Sequence, residues 1–234
     1  MKMLLEVIAT TVKDAVTAER HGADRIELIT GMLEGGLTPS LGLIEAVREA
    51  VSIPVRVMVR PHARSFCYDA EDVAVMLRDI RYIRAAGGLS LVTGVLRADR
   101  SVDEELLERL LEAADGMDVT FHRAFDEIPD QLEALDVLSR YKQITDVLTS
   151  GSKATAPEGA ERIAVLQRLA SIRHQPAILA GSGLTAEGLK DFLEQTAVGS
   201  VHFGSAVREA GSPLRPVDPG RLEAVRQILN FWKR

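Results

Sequence analysis

The feature that most constrains this chain is an alternation repeated eight times. A short run of branched and aliphatic residues is followed by a longer stretch with helix start signals, and then by the next short run. The strand-like runs are Met3–Ile8, Asp24–Ile29, Pro54–Val59, Leu89–Thr93, the stretch opening at Val119, Ile144–Thr149, Pro176–Ala180 and Val198–Phe203. Helices are expected between them. Thr11, with Asp14 in capping-box position, starts one that runs to about His21, and Ser40 starts one to about Val51. Asp69 caps a long helix to about Ala86, which Gly87-Gly88 breaks. Ser101 with Glu104 reads as a capping box for a helix to about Ala114, and Pro129 sits at N1 of one to about Arg140. Pro157 opens a helix to about Ile172, Thr185 caps one to about Gln195, and Asp218-Pro219 starts the last, to about Trp232. Eight βα units with short connections in 234 residues predict one domain over 1–234. A closed (β/α)8 TIM barrel fits better than an open doubly wound sheet, since no Gly-x-Gly-x-x-Gly opens the first helix.

Charge and cysteine usage narrow the function classes. The net charge of −6, with no Lys/Arg run, argues against nucleic-acid binding. The single cysteine, Cys67, excludes an internal disulfide and fits a reducing cytoplasm. Met1-Lys2-Met3-Leu4-Leu5 has the look of a signal-peptide start, but Glu6 and Lys13-Asp14 interrupt it too early for an apolar h-region. No segment approaches the ~20 apolar residues of a membrane span. A cytoplasmic location without membrane contact is therefore expected.

Side chains alternate along a strand, and here the alternation separates apolar from polar. Val55, Val57 and Val59 oppose Arg56, Met58 and Arg60; Val119 and Phe121 oppose Asp118, Thr120 and His122. Val201 and Phe203 oppose Ser200, His202 and Gly204, and Arg25 and Glu27 share a face. The outer face of a barrel packs on helices, so the polar parity belongs inside. Barrel interiors usually hold bulky branched residues, and buried charges are costly unless paired. The polar residues at the C-terminal strand ends, where barrel enzymes carry their sites, are Glu6, Glu27, Arg60, Thr93, His122, Thr149 and His202.

Glu6, Glu27, His122 and His202 are candidate acid–base residues, and Arg60 a fork for an anionic substrate. The same Glu/Glu/His/His set is a candidate site for a borderline divalent metal. The competing reading is an internal salt-bridge layer in which Glu6 and Glu27 neutralise Arg25 and Arg60. Gly181-Ser182-Gly183 follows strand seven and Gly204-Ser205 follows strand eight. Many barrels hold an anion with the backbone N–H groups of these two loops. Cys67 lies between Phe66 and Tyr68. Alone it is a poor Cu(I) site, which needs two or more soft ligands, and Met58 is the one candidate second ligand.

In sum the residues support an enzyme acting on a small anionic or phosphorylated substrate, or a module that binds such a ligand without chemistry. The motifs also resemble those of the CutC family, known as copper homeostasis proteins. The resemblance rests on Leu4-Leu5-Glu6, Gly22-Ala23-Asp24-Arg25-Ile26-Glu27-Leu28, Gly35-Gly36-Leu37-Thr38-Pro39-Ser40, Arg60-Pro61 and Phe66-Cys67-Tyr68. It continues through Val92-Thr93-Gly94-Val95-Leu96, Thr120-Phe121-His122-Arg123-Ala124-Phe125-Asp126, Leu148-Thr149-Ser150-Gly151 and Ala180-Gly181-Ser182-Gly183. It implies a TIM barrel, a cytoplasmic homo-oligomer (a dimer), and a role in copper homeostasis or copper-ion binding. Several members carry cysteines just after the first-strand glutamate and at the end of strand two. Here those positions are Val7-Ile8 and Ile29.

Overall fold

The computed structural model describes residues 3–173 and 176–232. Among them, eight parallel strands close into a barrel in chain order, as expected. They are β1 (Leu4–Ala9), β2 (Arg25–Leu28), β3 (Val55–Met58), β4 (Ser90–Thr93), β5 (Val119–Phe121), β6 (Ile144–Thr149), β7 (Ala177–Gly181) and β8 (Ser200–Phe203). The helices that follow them are α1 (Val12–Arg20), α2 (Leu41–Ala50), α3 (Ala70–Ala86), α4 (Glu104–Ala114), α5 (Gln131–Leu138), α6 (Ala160–Arg173), α7 (Ala186–Thr196) and α8 (Pro219–Phe231). Leu5, Val7, Ile26, Val57, Phe121 and Val201 pack beneath the helices in the main apolar core. The opposite parity faces inward. No described helix is long and apolar enough to cross a membrane.

Thr11, Ser40, Asp69, Thr185 and Asp218 cap their helices as expected, each accepting a hydrogen bond from the first turn. The role of Asp14 and three helix starts differ from expectation. Asp14 is not the return arm of a capping box. Its carboxylate accepts from Thr10 N, from Arg208 Nη1 at 3.2 Å and from Val217 N, tying α1 to the segment before α8. Ser101 is drawn away by Asp99, and Asp103 caps α4 by accepting from Leu106 N. Pro129 precedes the cap of α5 rather than occupying N1. Asp130 takes that role, because its carboxylate reaches the N–H of both Leu132 and Glu133. Pro157 lies in a turn, and α6 begins only at Ala160. There the backbone of Gly159 presses on the Ser150 carbonyl, a contact that any Cβ would block.

Candidate functional site at the barrel mouth

Strand pairing sets Glu6 of β1 beside Arg25 of β2 and His202 of β8. All three face inward and are buried. Arg25 Nε donates to Glu6 Oε2 at 2.5 Å, and His202 Nδ1 donates to Glu6 Oε1 at 2.8 Å. The far nitrogen of His202, Nε2, lies 3.8 Å from Glu27 Oε2. Glu27 Oε1 is buried without a hydrogen-bond partner among the described residues.

Beneath this group runs a layer of paired charge. Arg25 forks onto both oxygens of Asp146, at 3.2 Å each. Arg56 also reaches Asp146, at 2.8 Å, and donates to the hydroxyls of Thr120 and Thr145. The salt-bridge layer anticipated from sequence is therefore present with different members. Glu6 neutralises Arg25, but Asp146 neutralises Arg56, and neither Glu27 nor Arg60 belongs to the layer. Asp146 is the residue that sequence reasoning missed. Its signal was a lone carboxylate in the middle of an apolar strand.

Environment separates the two carboxylates. Burial pushes Glu6 up, but the Arg25 charge and the His202 hydrogen bond outweigh it and hold Glu6 at about 2. Burial raises Glu27 to about 7, against the pull of His202 and with help from the Glu6 charge. His202 is raised: burial lowers it, but Glu27 and Glu6 more than compensate. Near neutral pH, Glu6 is ionised, His202 holds its proton more firmly than a free imidazole, and Glu27 stands near its own midpoint.

His122 behaves differently. It caps a short 3-10 helix (Arg123–Glu127), and its Nδ1 accepts from the Ala124 N–H at 3.2 Å. The ring packs on Phe66, with centroids 4.8 Å apart. Burial, with the nearby Arg60 charge, lowers it to about 3. His122 is therefore a neutral imidazole. Gly94 makes room for it, since a Cβ there would lie 2.5 Å from Nδ1 and 2.6 Å from Cε1. Gly94→Ala is expected to displace the ring and cost about 1–3 kcal/mol by overpacking, read from the urea midpoint. A loss of a few tenths would show that the ring moves aside freely.

A cavity of about 860 Å³ unites most of the expected residues. Its walls include Glu27, Arg60, His122, His202, Ser182, Gly183, Gly204 and Ser205. Glu6 lies below, behind His202. Gly181 does not line the cavity; a side chain there would meet Leu148 and His202, so its small size serves packing. Arg60 lies with its guanidinium 4.7 Å over Phe66 and donates to the Glu34 and Gly36 carbonyls. Thr93 and Thr149 spend their hydroxyls on the Val59 carbonyl and on Asp126, and neither lines the cavity. Cys67 is exposed, with its thiol on the Arg97 carbonyl at 3.2 Å, and Met58 packs with Ile29 and Val92. Cys67 is not a cavity residue.

Among the described residues, Glu6, Glu27 and His202 form the one group that could hold a metal ion, with a ligand atom from each lying within 4.8 Å of the others. His122 is not part of it. The fit is incomplete, because Arg25 and His202 already occupy both oxygens of Glu6. A thiolate Cu(I) site does not fit at all, since no soft donor belongs to the group.

These features define a TIM barrel with a buried carboxylate–imidazole site at the C-terminal ends of its strands. Residues 3–207 match the profile of the CutC family, and the chain belongs to that family. A protein from Streptococcus agalactiae, provisionally named copper homeostasis protein CutC, has a similar structure with 31% identity and a TM-score of 0.80, over 86% of this chain and 97% of that one. The N-(5'-phosphoribosyl)anthranilate isomerase of Pyrococcus furiosus shares the fold, at 16% identity and a TM-score of 0.62, over 97% of this chain and 98% of that one. The phosphoribosyl anthranilate isomerase of Thermococcus kodakaraensis does so too, at 16% and 0.62, over 98% of this chain and all of that one.

Proposed function

We propose that the barrel mouth is an enzyme active site performing general acid–base chemistry on a small anionic substrate. One observation carries this reading. Glu27, on the cavity wall, has a buried oxygen with no hydrogen-bond partner among the described residues, and His202 and Glu6 stand in line behind it. A carboxyl group held near neutrality is suited to take and return protons. Glu6 serves by fixing the tautomer and charge of His202. The loops with Ser182, Gly183, Gly204 and Ser205 take the anion, with Arg221 at the start of α8 close by on the same cavity. Assembly as a cytoplasmic homodimer belongs to the same proposal.

Copper homeostasis is the second reading, favoured by family membership and by the name of the Streptococcus agalactiae relative. In this chain an ion would have to rest on Glu27 and His202 Nε2, and these donors suit a borderline divalent metal better than Cu(I).

Two titrations separate the readings. Inorganic phosphate is expected to raise the melting temperature of wild type, and to do so less in Arg221→Ala. At a hundredfold excess over Kd the stabilisation is about 2.7 kcal/mol. Under anaerobic competition with glutathione, neither wild type nor Cys67→Ser should retain Cu(I). Absence of any stabilisation by phosphate or sulfate would remove the anion seat. Tight binding of a divalent copper ion by wild type and its loss in Glu27→Gln would establish the copper reading, whereas Cu(I) retained by wild type and lost in Cys67→Ser would put copper on the exposed thiol, outside this site.

A further inference from the structure

In a closed eight-strand barrel β5 lies across from β1. The cavity therefore has two unlike walls. On one side are Glu27 and His202, from β2 and β8, which flank β1. Opposite them is His122, just past β5, and between the two, just past β3, is Arg60, with the Phe66 ring in contact with both. The hydrogen bond from Ala124 N–H into Nδ1 makes that atom an acceptor, so the ring proton must sit on Nε2. His122 Nε2 is buried without a hydrogen-bond partner among the described residues, as is Arg60 Nε. Unpaired buried donors are costly unless a ligand satisfies them. The unpaired donor of His122 thus faces the open carboxylate oxygen of Glu27 across one cavity, with Arg60 between them.

We infer that the site takes an α-hydroxy carbonyl compound, with the carbonyl oxygen held by His122 Nε2–H beside the Arg60 guanidinium and the adjacent carbon turned toward Glu27. This deepens the acid–base reading and rests on it. The reaction class that follows is enolisation. The C–H bond next to the carbonyl breaks, its proton passes to Glu27, and its electron pair becomes the C=C bond of an enediol. The carbonyl π pair moves to oxygen, which takes the His122 Nε2 proton. His122 recovers a proton from the neighbouring hydroxyl, and Glu27 returns its proton to the other carbon. The product is the isomeric hydroxy carbonyl compound, with no oxidant or reductant consumed. A neutral imidazole suits this role, because it donates without presenting a charge that would pair with any passing anion.

The test compares dihydroxyacetone phosphate with glycerol 3-phosphate, which has the same chain and anion but no carbonyl. Wild type is expected to prefer the ketone by at least about tenfold, because a site built to pair a polar group discriminates strongly. The infrared C=O band of carbonyl-13C-labelled ketone should shift to lower frequency on binding. In His122→Phe both the preference and the shift should vanish, and His122→Gln, which keeps an N–H donor, should restore part of each. Equal affinity for the two compounds in wild type, or an unshifted carbonyl band, would overturn the inference whatever the variants do. So would tighter binding of 3-phosphoglycerate, a carboxylate, than of the ketone. If inorganic phosphate fails to bind, the anion seat has failed by itself. The carbonyl question is then decided with hydroxyacetone against 1,2-propanediol, which need no such seat.

Discussion

An Asp146→Asn variant is expected to lose roughly 3–5 kcal/mol of folding stability, seen as a lower urea midpoint at an unchanged slope. Arg25, Arg56 and Asp146 are all at least nine-tenths buried, and Asp146 is the carboxylate on which both guanidinium groups converge. Asparagine keeps the shape and removes the charge. Arg25 retains Glu6, but Arg56 retains only hydroxyl partners. A buried cation without a counter-charge is among the most destabilising arrangements a core can hold. The intact layer is a different matter, since its Coulomb gain must offset the desolvation of four charges. Asp146→Leu combined with Arg56→Met should therefore recover a large part of the loss, because the pair leaves together. A cost below about 1 kcal/mol for Asp146→Asn would mean that water reaches Arg56 and that the layer is not dry.

Glu27→Gln should move stability and activity in opposite directions. Glu27 is raised from 4.5 to about 7 by burial. Between those values the folded chain holds a proton that the unfolded chain has released, so rising pH favours unfolding. The penalty is absent below about pH 4.5, grows through the interval and is complete above pH 7. Glutamine never ionises and escapes it. The variant should match wild type at pH 4 and exceed it at pH 8, by up to roughly 3 kcal/mol. The attraction of protonated His202 for ionised Glu27 already limits how far Glu27 is raised, so this gain includes it. Proton transfer should fall by about 10²- to 10⁴-fold. Such an exchange of stability for function marks a site kept for chemistry. Equal pH profiles for the two proteins would place Glu27 among ordinary solvated carboxylates and end the acid–base reading.

Much of this molecule was legible in its residues. The eightfold alternation of strand and helix signals was enough for the closed barrel, because length and element count leave few other ways to bury so many half-apolar strands. Parity did the rest. Arg25 with Glu27, and Ser200 with His202, fall on the faces that the period of two assigns them, since side-chain direction along a strand is a local property. The cavity residues Glu27, Arg60, His122 and His202 were all within reach of that argument.

Pairing was not. Arg25 finds Asp146, which stands 121 positions away in sequence, only when the sheet closes. A register shift between Val119 and Thr120 helps decide which side chains of β6 meet Arg56, and no local pattern reveals it. The two histidines look alike in sequence, each ending a strand on the inward parity. Only the folded environment makes them opposites. His202, between two carboxylates, binds its proton more firmly, whereas His122, with a backbone N–H on Nδ1 and Arg60 nearby, stays neutral. Periodicity settles which way a side chain points. Its charge depends on desolvation and on neighbours brought in from distant strands, and those exist only in the closed barrel.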